Sequence, residues 1–244
     1  MNGMHGLLRL AAWDIRLQAR ENVYAFTVLT TAVFAAVLTL LPDDTPRSVV
    51  AALLFLDPAI VGLSFVGAMV LMERGQNTLS ALAVAPIDPR AYIAAKILTL
   101  TGLTFAGGIA LVFAAYGTSV PLGTLARFVL AIGSTGSLAV LTGLVVVARS
   151  RSLNHFIARL FPLTLVVNLP LLAHFDLVRG VWSWILFGLN PGHAMLRALL
   201  WAADPDRVSA GEVAYAFAFV GLLIVVMGRV ASNLHGDELA HPRA

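Results

Sequence analysis

Long apolar stretches alternate with short, arginine-bearing connectors along this chain. Six stretches approach the 20 or so residues that a membrane-spanning helix requires: Val23–Leu41, Val49–Met72, Ala91–Tyr116, Thr124–Ala148, Phe156–Ala173 and Val213–Val230. The fifth is interrupted by Pro162, Asn168 and Pro170. Backbone carbonyls freed beside such prolines must find donors in neighbours or water, so this span reads either as a wall or hinge of a pathway or as a packing irregularity. Between the fifth and sixth stretches, Phe175–Trp201 is half apolar and too broken to span simply. It predicts a re-entrant or interfacial helical segment. Ahead of the first stretch, Met4–Arg20 places Arg9, Arg16 and Arg20 on one helical stripe, with Met4, Leu7, Leu8, Ala11 and Ile15 opposite. That amphipathic pattern predicts a helix lying in the membrane interface. It fits a lipid-surface anchor or an elbow that braces a cytoplasmic partner.

Composition sharpens the picture. Of 244 residues, 59% are hydrophobic and 12% charged, about half the charge of an average soluble domain. Such a chain cannot cover itself with a polar skin, and its apolar content excludes disorder. Cysteine is absent, which excludes disulfides and thiolate metal sites. There is no basic cluster with interleaved polar residues for nucleic acid. With the N-terminus cytoplasmic, eleven of the sixteen Lys and Arg residues fall inside and five outside, the bias expected for this orientation.

The connector after the second span carries the most information. It reads Glu73-Arg74-Gly75-Gln76-Asn77-Thr78-Leu79-Ser80-Ala81-Leu82-Ala83-Val84-Ala85-Pro86. Its middle is more apolar than a solvent-exposed loop requires. Thr78 can cap a short helix that Pro86 ends. A short amphipathic helix of this kind either docks into a cleft on a soluble subunit or lies on the membrane surface.

Glu73-Arg74, Thr78-Leu79, Leu82, Pro86, Tyr92 and Lys96 together resemble the signature of type-2 ABC exporter permeases. Asn190-Pro191-Gly192-His193 with Arg197, before the last span, resembles that family's external helical region. Within the second span, Asp57-Pro58-Ala59-Ile60-Val61-Gly62, Phe65-Val66-Gly67 and Glu73 narrow the resemblance to the fluoroquinolone-export permeases. Asn77 stands where that family usually has glycine, and Ser80 where it often has an acidic residue. The resemblance covers essentially the whole chain. It implies an all-α membrane protein of one domain over residues 1–244: six transmembrane helices, an N-terminal interfacial elbow helix (1–21), a cytoplasmic coupling helix (73–86) and a re-entrant or interfacial external region (174–207). It further implies ATPase coupling through Glu73, Arg74, Gly75, Thr78, Leu79, Leu82 and Pro86. The partners implied are an ABC ATP-binding subunit, a second permease copy or paralogue, and membrane lipid. The implied setting is a bacterial inner membrane with both termini cytoplasmic, and the implied cargo is a small amphipathic, fluoroquinolone-like drug.

No Gly-x-x-x-x-Gly precedes Lys96, the sole lysine. A P-loop is therefore missing, and ATP and Mg are expected on the partner, with no cofactor or metal in this chain. Asp57, Phe65, Pro162 and Asn168 are the candidate substrate-pathway residues. Asp57 is the one acidic residue placed within a predicted span, where charge is costly. It either attracts a cationic amine, or pairs with Arg127 or Arg47, or simply breaks the helix beside Pro58 at the outer interface. The external motif contributes Asn190, Pro191, His193 and Arg197. Trp182 and Trp184, with His174 and His193 nearby, fit an outer aromatic belt or, alternatively, a haem-handling loop; a lipid or polysaccharide exporter is a further alternative. Gly133-Ser134-Thr135-Gly136 fits close helix packing better than a serine protease, since no histidine base lies clearly within a span.

Overall fold

The computed structural model describes residues 3–42, 44–76 and 89–240, with side chains except at 3–5, 57–61, 89–90 and 235–240. The described residues contain helices and no strand. In chain order they are α1 (Gly3–Arg20), α2 (Val23–Leu40), α3 (Arg47–Gly75), α4 (Pro89–Tyr116), α5 (Leu122–Ala148), α6 (Leu153–Asn168), α7 (Leu171–His174), α8 (Val181–Phe187), α9 (Pro191–Ala203) and α10 (Ala210–Ala240), with a 3-10 turn at Pro205–Arg207 before α10. Five helical stretches are long and apolar enough to cross a membrane: Val23–Leu40, Ala91–Tyr116, Leu122–Ala148, Leu153–His174 and Ala210–Leu234. The chain is a multi-pass membrane protein.

Two large cores and a small one beside α1 and α2 hold the described residues together. One packs α9 against the first half of α3, α5 and α10 around Phe55, Phe128, Met195 and Leu199. The other joins the second half of α3 to α4, α5 and α6 around Val66, Ile93, Leu144 and Phe156. Phe156 owes its seat to Gly67. A Cβ at that position would overlap the Phe156 ring, so only glycine leaves the slot that the ring fills. The Phe65-Val66-Gly67 run thus divides its work: Phe65 meets Phe26 of α2 edge-on at 5.0 Å, Val66 is fully buried, and Gly67 admits Phe156.

The turn between α1 and α2 is made by Asn22, at φ 58°, a left-handed conformation that asparagine tolerates better than most residues. The fifth predicted span resolves into α6 and the one-turn α7. The helix runs through Pro162, whose side is exposed, and stops at Asn168, just before Pro170. Proline at 170 has no N–H to offer the carbonyl of Val166, four residues earlier. Asn190 supplies the replacement: its Nδ2 donates to that carbonyl at 2.6 Å, beside a longer bond from Leu169 N at 3.2 Å.

The region expected to be re-entrant or interfacial is sharply divided. Val181, Trp182, Ile185 and Leu186 of α8 are exposed, whereas ten of the thirteen residues of α9 are buried. The Asn190-Pro191-Gly192-His193 motif explains how α9 enters the core. Asn190 Oδ1 accepts from Gly192 N at 2.9 Å and caps the helix, Pro191 occupies its first turn, and a Cβ on residue 192 would strike the Val167 carbonyl.

Candidate functional site

One end of the bundle, the base, gathers α1, the end of α3 and the start of α4. Here Lys96 of α4 is 1% exposed and forms ion pairs with both Asp14 of α1 and Glu73 of α3. Tyr92 donates its hydroxyl to the other Glu73 oxygen, and Thr99 donates to the other Asp14 oxygen. Gln18 Nε2 adds a bond to Asp14 Oδ2 at 2.8 Å. All four carboxylate oxygens therefore receive a donor, the condition under which buried charges are tolerated. Removing one partner leaves an uncompensated charge in a site that excludes water.

The cluster follows from helical spacing. Ala11, Asp14 and Gln18 lie on one stripe of α1, and all three are buried against α4. Leu8 and Ile15, on the predicted lipid-facing side, are exposed, as are Arg9, Arg16 and Arg20. On α4, Tyr92, Lys96 and Thr99 repeat at three- and four-residue spacing and face the same seam. The sequence named Lys96 as a motif residue and counted it among the inside cations; the structure adds its two buried partners. Asp14 and Thr99 were missed altogether. The signal was an aspartate in a helix whose arginines all point elsewhere, matched to the chain's sole lysine.

Adjacent Arg74 works in the opposite direction. Its Nη1 donates to the carbonyls of Val147 at 3.2 Å and Ser150 at 2.6 Å, at the end of α5. Arg159 reaches the carbonyl of Arg149. Cations thus satisfy the last carbonyls of α5 and complement its dipole. Gln76 Nε2 contacts Glu21 in the α1–α2 turn at 3.4 Å. Glu73, Arg74 and Gln76 together fasten the last turn of α3 to three neighbouring segments. Gly75 lies in open space. Thr78, Leu79, Leu82 and Pro86, the rest of the expected coupling element, lie outside the described residues.

Immediately beyond Thr99, a groove of about 740 Å3 opens between α1, α2 and α4. Its walls are small and apolar at Ala35, Gly102, Ala106 and Ala110, with Thr27 and Thr31 on the α2 side. Volumes of 300–1,000 Å3 are usual for drug-sized ligands. Of the four expected pathway residues, Phe65 packs beside Leu17, Val23 and Met69 near α1 and α2. Pro162 is exposed on α6, and Asn168 bonds back to the Thr164 carbonyl at 2.7 Å. None of these three lines that groove. The backbone of Asp57 continues α3, and its side chain lies outside the described residues.

The opposite end holds the external motif. His193 is 2% exposed and sits between the rings of Trp184, at 5.0 Å, and Tyr215, at 6.0 Å. Tyr215 donates its hydroxyl to the Gly188 carbonyl at 2.8 Å. Burial, and secondarily Arg197, pushes the His193 imidazole down to about 4, so it is neutral at ordinary pH. Arg197 lies over Trp184 at 5.8 Å and pairs with Glu212 at 3.2 Å. The cavity beside His174 and His193 is about 210 Å3, and His174 Nε2 is taken up by the Ser48 carbonyl at 2.7 Å. Ser134 spends its hydroxyl on the Leu130 and Ala131 carbonyls of its own helix; within that glycine-serine run Gly136 packs closely against Thr104 of α4, while Gly133 faces open space.

These features define an all-helical, multi-pass membrane protein with a buried charge cluster at one end, a lateral groove beside it and a capped, buried helix at the other. The chain belongs to the fluoroquinolones export permease protein family, whose model matches residues 5–239. Two relatives from Mycobacterium tuberculosis, in strains CDC 1551 / Oshkosh and ATCC 25618 / H37Rv, are named fluoroquinolones export permease proteins. Each is 24% identical over 232 residues, covering 91% of this chain and 92% of the relative. No solved structure matches the chain.

Proposed function

We propose that this chain is the membrane subunit of an ATP-driven exporter of small amphipathic compounds, coupled to a separate ABC ATP-binding subunit and paired with a second permease copy or paralogue. The relatives' names suggest fluoroquinolone-like drugs as the cargo. The observation that carries the reading is the Asp14–Lys96–Glu73–Tyr92 cluster. It binds α1, the elbow helix of this reading, to both helices that flank residues 77–88. A push delivered to that connector by the closing ATPase moves α1, α3 and α4 as one body and reshapes the groove between α1, α2 and α4. An amphipathic compound reaches such a groove laterally from the inner leaflet.

The reading takes α3 as a sixth span. Its 29 residues extend about 43 Å at 1.5 Å per residue. Its two ends support this. Arg74 holds the end of α5 at the base, and the Ser48 carbonyl, at the start of α3, meets His174 Nε2 at 2.7 Å at the opposite end. Six spans place both termini on one side, cytoplasmic by the arginine count and in the inner membrane of a bacterium.

The test is co-purification of the chain with its ATPase from native membranes, together with drug export by inverted vesicles. Leu79→Asp with Leu82→Asp should abolish ATPase co-purification while leaving the chain in the membrane. Full-strength binding by that variant overturns the coupling role of residues 73–86.

A further inference from the structure

At the end of the bundle away from the charge cluster, a second and polar cavity of about 210 Å3 lies between α7, the buried helix α9 and the 3-10 turn. His174, His193, Arg197 and Arg207 line it, with Asp176 at its exposed rim. We infer that this cavity is a binding site for the carboxylate of a small organic acid.

The donors argue for the anion. Arg197 gives Nη1 to Glu212 and Arg207 gives Nε to Asp204, and a guanidinium carries five N–H groups. Two partly used planar forks therefore border one small cavity, and such forks match the two oxygens of a carboxylate. His193 adds the sign of an unfilled site. It lines the cavity, is almost fully buried, and its Nε2 has no hydrogen-bond partner in a protein interior where such atoms are rarely left unpaired. His174 is committed to the Ser48 carbonyl and fixes the facing wall.

The surroundings admit no more than a single negative charge. Glu212 and Asp204 match the two arginines in number, and Asp176 stands at the mouth, so the anion is held by the free guanidinium N–H groups rather than by excess positive charge. A doubly charged phosphate meets more repulsion there than a carboxylate, and a compound carrying both an acid and an amine can set its ammonium beside Asp176. The volume accepts the acid end of an amphipathic molecule and leaves the remainder in the membrane interface. The assignment of that acid to the exported compound rests on the export reading above; the binding itself does not.

Benzoate is the probe, titrated into the full chain in zwitterionic-lipid nanodiscs and followed by tryptophan fluorescence, since Trp184 touches both His193 and Arg197. A Trp184→Phe variant supplies the blank. Saturable binding of benzoate but not of neutral benzamide is expected. Arg207→Gln should weaken it at least tenfold, a change on an exposed side chain that leaves the core untouched. Arg197→Lys, which keeps the charge and loses the fork, should weaken it comparably. The proposal falls if benzamide binds equally, if Arg207→Gln leaves the affinity unchanged, or if inorganic phosphate displaces benzoate at equal concentration. Loss of benzoate binding in nanodiscs containing anionic lipid also overturns it, in favour of a headgroup site. No ATPase takes part, so a failed titration beside successful ATPase co-purification removes the carboxylate site and leaves the export reading standing.

Discussion

Lys96 shows how far one residue's role depends on its partners. A lone buried lysine is costly, and so are two buried carboxylates without it, yet the three together are satisfied by Tyr92, Thr99 and Gln18. Lys96→Met should therefore lower stability by about 3–5 kcal/mol, because Asp14 and Glu73 then face each other unpaired in a dry site. The triple change Asp14→Asn, Glu73→Gln and Lys96→Met removes every charge at once and should regain most of that loss in a thermal denaturation series. His193 offers a second test, through pH. Its folded value near 4 lies below the ordinary 6.5, so between those limits the unfolded chain binds the extra proton. Stability is therefore complete above pH 6.5 and declines as pH falls toward 4, by at most about 1.4 kcal/mol per unit from this group. His193→Gln should flatten that part of the curve. An unchanged slope would mean the imidazole is not held neutral by its burial among Trp184 and Tyr215.

At the scale of elements, the contacts that set the architecture are close approaches made by glycine and breaks made by proline. Gly67→Ala drives a methyl into the Phe156 ring, an overpacking worth about 1–3 kcal/mol. Phe156→Leu in the same chain should relieve it, so a double-mutant cycle on melting temperature should be strongly non-additive. Asn190 is the second hinge of the packing. It caps α9 and answers the Val166 carbonyl that Pro170 leaves open. Its capping role was open to sequence reading, because Asn-Pro-Gly before an apolar run announces a helix start. The bond to Val166 was not, since no local pattern links residues 24 positions apart. The same limit explains the base of the bundle. Tyr92 and Glu73 stood out as motif residues, but Asp14 meets Lys96 only because α1 folds back on α4. The apolar periodicity of α1, which turned Leu8 and Ile15 toward the acyl boundary, reported the lipid-compatible face and was silent on the protein-facing stripe through Asp14.

For the whole molecule the decisive question is whether α3 crosses the membrane, because parity follows from it. If α3 spans, the turn after α1 and the connector between α5 and α6 lie on one side, and the connector after α4 lies on the other. If α3 turns back, the α1 turn and the α5–α6 connector lie on opposite sides. The chain has no cysteine of its own, so single cysteines at exposed Arg20, Thr118 and Asn154 report these three places without background. A membrane-impermeant maleimide applied to right-side-out and inverted vesicles should label Arg20→Cys and Asn154→Cys from the inverted side only, and Thr118→Cys from the right-side-out side only. Labelling of Arg20→Cys and Asn154→Cys from different sides would reduce the bundle to five spans. It would also set residues 77–88 on the face away from the α1 turn, which conflicts with the bond from Gln76 to Glu21 and with the ion pairs of Lys96. Lys96→Cys, by contrast, should react slowly from either side despite its position near the base, since the lysine it replaces is 1% exposed.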